Sequence, residues 1–109
     1  MAYDEELAAR IRDLLAGREG DTEKKMFGGI GFMMNGNMCC GVMGDDLILG
    51  LDGARGEEAL GEPFTRPLEQ HGKAMRSWVL VSRDGVATES GLRAWVERAA
   101  THAASLPRK

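Results

Sequence analysis

The sequence predicts an α+β domain in which an antiparallel sheet is flanked by helices, in the order helix, three strands, short helix, two strands, helix. Three observations predict it. Residues 26–43 form two apolar runs on either side of Asn35-Gly36, the dipeptide best suited to a two-residue type I′ hairpin turn, which needs positive φ at both positions. Residues 3–16 and 88–106 carry apolar side chains at helical spacing, so a helix opens and closes the chain. Residues 75–82 alternate, with Met75, Ser77, Val79 and Val81 on one side and Arg76, Trp78, Leu80 and Ser82 on the other, as a strand does.

In the first helix, Leu7, Ile11, Leu14 and Leu15 make the apolar stripe and Asp4 is the N-cap. Glu5 and Glu6 suit its positive end, and Gly17 suits the residue after its last turn. Residues 18–25 are polar and read as a solvated loop. With Asn35-Gly36 as the turn, Met34 faces Asn37 and alternation assigns the rest of the hairpin. Phe32 then lies opposite Cys39, Ile30 opposite Gly41, Met43 opposite Gly28 and Val42 opposite Gly29, large against small. Gly44-Asp45-Asp46 turns the chain into a third apolar strand ending at Asp52-Gly53. Residues 54–61 allow a short helix stopped by Gly61 and Pro63. Residues 64–70 fit an edge strand that tolerates Pro67, and His71-Gly72-Lys73 turns into the alternating strand. The last helix sets Leu92, Trp95, Val96, Ala99, Ala103 and Leu106 along one face, with Thr88 or Ser90 as cap and Pro107 as stop.

The 109 residues fit one domain, residues 1–109. A net charge of −3 argues against the broad basic footprint of non-specific nucleic-acid binding. No apolar run reaches the roughly 20 residues of a membrane span, and the acidic start is unlike a signal peptide. The expected location is the cytoplasm, with no membrane association. The two cysteines are adjacent, so neither a disulfide framework nor a spaced metal site is expected.

The glycines of the hairpin lack the lysine and helix entry of a phosphate-binding loop and read as packing positions. Cys39 and Cys40, on opposite faces of a regular strand, cannot jointly hold one ion; buried inert thiols are expected, with a redox-sensing thiol as the alternative. His71 and His102 read as surface residues, so no metal, cofactor or catalytic constellation is expected. Most of the seven methionines lie in the hairpin and serve either as core or as an adaptable partner surface. The hairpin face carrying Phe27, Met33, Met38, Cys40 and Val42 is the candidate partner surface, because the helices cover only one side of the sheet. A homodimer is the simplest way to cover it. Lys24, Lys25, Lys73 and Arg76 are either solvated charges or a local basic patch.

Lys25-Met26-Phe27-Gly28-Gly29, then Phe32, Asn35-Gly36 and Met75-Arg76-Ser77-Trp78-Val79, resemble the N-terminal domain of the TfoX/Sxy family. The likeness covers nearly the whole chain. It implies an α-β3-α-β2-α fold like that of secretion chaperones, and kinship with regulators of bacterial competence genes. Those regulators carry a second, helical C-terminal domain, whereas this sequence ends at Lys109, so a stand-alone copy is expected. The expected function is a non-enzymatic regulatory module acting through a protein partner or homodimer. A nucleic-acid-associated regulator is the alternative, and a small enzyme comes after it.

Overall fold

A computed structural model of the chain describes residues 3–18, 20–26, 28–70 and 72–107. Helix α1 spans Glu5–Leu15, and the Asp4 carboxylate accepts from the Leu7 amide at 3.1 Å, as an N-cap should. Strands β1 (Asp21–Met26), β2 (Gly29–Met34), β3 (Asn37–Met43) and β4 (Asp46–Gly50) follow. Then come helix α2 (Gly53–Ala59), strands β5 (Thr65–Gln70) and β6 (Lys73–Val81), a 3₁₀ turn at Arg83–Val86 and helix α3 (Glu89–Ser105). Thr88 caps α3 by accepting from the Gly91 amide at 3.0 Å.

All strand pairs are antiparallel, in the spatial order β1-β2-β3-β4-β6-β5. The α+β class and the helix and strand order hold, with one addition. Residues 21–25, read from sequence as loop, and Met26, read as the start of the hairpin, are edge strand β1, paired along its length from Asp21↔Met34 to Met26↔Gly29. Its charges hid it: Glu23, Lys24 and Lys25 are exposed, and charged residues are what an edge strand uses to refuse further pairing. Glu23 also fastens β1 to α1, accepting two hydrogen bonds of 2.7 Å from the Arg12 guanidinium. Pro67 does sit on an edge strand, β5.

The hairpin turn forms as expected, with φ of 53° at Asn35 and 84° at Gly36. Its register does not continue as expected. Met34↔Asn37 and Met33↔Met38 obey the alternation, after which the ladder shifts to Phe32↔Cys40, Gly31↔Gly41 and Ile30↔Val42. A β-bulge at Cys39 absorbs one extra residue and reverses the facing of everything beyond it on β3. The expected pairs Phe32–Cys39, Ile30–Gly41, Met43–Gly28 and Val42–Gly29 are therefore replaced.

The helices lie on one face of the sheet. Leu7, Ile11 and Leu15 of α1, Ala59 of α2, and Leu92, Trp95, Val96, Ala99, Ala100 and Ala103 of α3 form one core with Ile30, Phe32, Cys40, Val42, Leu47, Leu49, Val79 and Val81. These are the residues that the observed register places on a single side. Ion pairs Arg18–Glu97 and Arg98–Glu62 tie α3 to its surroundings, and the Arg98 guanidinium rests 4.4 Å from the Trp95 ring centre.

Candidate functional site

The side of the sheet away from the helices is built from β2 to β6. By register it carries Gly29, Gly31 and Met33 on β2, Met38, Gly41 and Met43 on β3, Asp46, Ile48 and Gly50 on β4, and Trp78 and Leu80 on β6. Ile48 and Leu80 are only 4% and 8% exposed, yet they stand apart from the core beneath the helices. Met33, Met38, Met43 and Trp78 are half-buried on the same face. Arg66 on β5 pairs with Asp46 on β4, and that ion pair crosses β6 beside Leu80.

The glycines make this face flat. A methyl group at Gly50 would lie 2.8 Å from the Trp78 ring, and one at Gly41 would meet the Ile30 carbonyl and stand 3.2 Å from the Met38 methyl. Trp78 thus lies over Gly50 and Met38 over Gly41, so long side chains spread along the sheet instead of rising from it. At one end the surface dips into a groove of about 390 Å³ lined by Met33, Met38, Trp78, Leu51, His102 and Leu106, which carries it round to the end of α3. Asn37, buried below that groove, donates from Nδ2 to the Pro107 carbonyl at 2.8 Å and pins the chain after α3.

Of the five residues expected on a partner surface, Met33 and Met38 lie on this face. Cys40 and Val42 do not: the bulge turns both into the helix-covered core, where neither is exposed. Phe27 lies outside the described residues. Ile48, Trp78 and Leu80 were not anticipated, although the alternation of residues 75–82 had already grouped Trp78 with Leu80. What was missing was the placement of β6 beside β4, a non-local pairing.

Lys24 and Lys25 are exposed on β1, at one edge of the sheet, and as consecutive strand residues they diverge to opposite faces. Lys73 is exposed at the start of β6, separated from β1 by β2, β3 and β4. The backbone of Arg76 is on β6 as well, and its side chain lies outside the described set. The fold does not gather Lys24 and Lys25 with Lys73.

The bulge has a chemical result. Cys39 and Cys40 are both free, fully buried and in the same core, where a regular strand would have separated them. Interaction between the thiols holds Cys39 below its ordinary value, against burial. The same interaction, reinforced by burial, pushes Cys40 well above its own. Arg18 favours the thiolate at both positions and Asp21 opposes it. Asp21 is itself held above the usual carboxylate range, first by burial and then by Glu23, with Arg18 pulling the other way. Its Oδ1 is buried without a hydrogen-bond partner. Among the described residues, no group of three or more His, Cys, Asp or Glu side chains is arranged to hold a metal ion, and no helix is long and apolar enough to cross a membrane.

Comparison with curated proteins and with solved structures returns no match. A family model for the TfoX N-terminal domain matches residues 13–103, from the last turn of α1 almost to the end of α3. That span holds all six strands, the bulge and the open face, and the chain belongs to the TfoX N-terminal domain family.

Proposed function

We propose that this protein is a non-enzymatic regulatory module that works by docking protein on the open face of its sheet, with a second copy of the chain as the first occupant. The observation that carries this reading is the one-sided layering: α1, α2 and α3 contribute to a single core, while Met33, Met38, Met43, Ile48, Trp78 and Leu80 line the other side of the sheet. A flat apolar sheet face suits stacking on another sheet at about 10 Å separation. The charges of Arg66 and Asp46 on its far part neutralise each other, so this pair brings no like-charge repulsion between two copies. Methionines let such a surface adapt to what covers it. We place this activity in the cytoplasm, a reading supported by two cysteines that are both free.

Sedimentation velocity at micromolar concentration tests it. The wild-type chain is expected to run as a dimer, and Met38→Glu as a folded monomer with an unchanged circular dichroism spectrum. A wild-type monomer throughout that range would overturn the homodimer. A dimer that survives Met38→Glu would move the contact to another surface.

A further inference from the structure

We propose that Cys39 and Cys40 form a covalent modification site, a buried dithiol that a small peroxide oxidises to a disulfide between these two adjacent residues. The bulge is what makes the site. Consecutive residues of a regular strand point to opposite faces, but the ladder shift between Met33↔Met38 and Phe32↔Cys40 sends both cysteines into the core under α1 and α3.

The backbone at this point is also the part of β3 that the ladder leaves unpaired. Cys39 has no register partner on β2, and pairing with β4 begins only at Cys40↔Leu49. That gap in the ladder matters because neighbouring Cα atoms sit about 3.8 Å apart, whereas disulfides usually span about 4.4–6.8 Å between Cα atoms. Closing the ring requires the chain to adjust locally, and at Cys39 it does so without breaking a ladder pair.

The two thiols are unequal in the way the chemistry needs. The contact between the thiols favours the thiolate at Cys39 and opposes it at Cys40, where burial opposes it too, which makes Cys39 the attacking sulfur. The charges that bear on Cys39 belong to Arg18, Asp21 and Glu97. Arg18, in the connection between α1 and β1, and Glu97, on α3, form a solvent-facing ion pair, which puts the thiol within electrostatic reach of the surface where that connection meets α3. In the first step the Cys39 sulfur attacks one peroxide oxygen, the O–O bond breaks, and Cys39 becomes a sulfenic acid while the other oxygen leaves as water after taking up a proton. The Cys40 sulfur then displaces the hydroxyl from Cys39, its proton departing with that hydroxyl as a second water. Two thiols and one hydrogen peroxide give one disulfide and two waters. The product is neutral, which suits an apolar site; a metal dithiolate would leave charge there, and no third ligand stands by among the described residues.

The test is hydrogen peroxide added to the full, folded chain without denaturant, then unfolding, alkylation of the remaining thiols with N-ethylmaleimide, and intact-mass and peptide analysis. Expected is a monomer lighter by two hydrogen atoms, with residues 39 and 40 unalkylated, and full alkylation restored by dithiothreitol. In Cys40→Ala the reaction is expected to stall at a Cys39 sulfenic acid that dimedone captures, and in Cys39→Ala to be lost. The proposal is overturned if both wild-type thiols remain alkylatable, if sulfinic acid accumulates without a disulfide, if the disulfide joins two chains, or if dimedone marks Cys40 in place of Cys39. The wild-type masses decide the matter even if a variant fails to fold.

Discussion

The two faces of one sheet are built by opposite rules. Beneath the helices the positions are filled by Phe32, Val42, Leu47, Leu49, Val79 and Val81, all without exposed surface. On the other side the same strands offer Gly29, Gly31, Gly41 and Gly50 between methionines and Trp78. Branched and aromatic residues fill a closed space with fixed shapes, whereas glycine and methionine make a low surface that conforms to what lies on it. The covered face accounts for the fold's stability. The other face, whose residues stand outside the core beneath the helices, is the one on which the proposed docking rests.

Mutations sharpen that contrast, beginning with the largest effect. Phe32→Ala opens a cavity in the covered face and is expected to cost about 3–5 kcal/mol in urea unfolding. A loss below about 1 kcal/mol would mean that this face is not the stabilising one. Gly41→Ala is next. The added methyl meets the Ile30 carbonyl and presses on the Met38 methyl, so a cost of about 1–3 kcal/mol is expected, together with weaker self-association, since the flatness of the open face is lost.

The smallest effect concerns a flaw at the margin of the covered face. Asp21 keeps one oxygen buried and unpartnered, so Asp21→Asn should stabilise the protein by about half a kcal/mol or less near pH 7. Because its folded-state pKa is raised, the penalty appears as pH climbs from the ordinary carboxylate value through the folded one, and it vanishes on acidification. Glu23, two residues along the strand, behaves in the reverse sense. Arg12 holds it low, so its contribution is present above its unfolded value and is lost as pH falls through the folded one. Urea midpoints for wild type, Asp21→Asn and Glu23→Gln between about pH 3 and pH 7 separate the two. The advantage of Asp21→Asn should shrink toward the acid end, and so should the deficit of Glu23→Gln.

What the sequence disclosed was local. Asn35-Gly36 announces its turn through backbone preference, and the helices announce themselves through spacing and caps. β1 was hidden because an edge strand rich in charge carries no apolar alternation. The bulge was hidden for a different reason: residues 37–43 are apolar at almost every position, so a slip of one residue leaves no mark on the pattern. That slip moved Cys40 and Val42 off the expected surface and brought two thiols together. Trp78 and Leu80 were visible as a pair, but only the placement of β6 beside β4 joins them to the methionines.

The bond from Asn37 to the Pro107 carbonyl has a practical side. Tyr3 bridges to Gly44, past the far end of β3, while Pro107 is anchored at Asn37, where β3 begins. The chain therefore enters and leaves at opposite poles of the same strand. A purification tag or fluorescent fusion on the C-terminal side starts beside the groove that Leu106 and Met38 share, where it competes with any docking partner. Attached ahead of Tyr3 it sits at the other pole, and binding measurements on this domain should carry their label there.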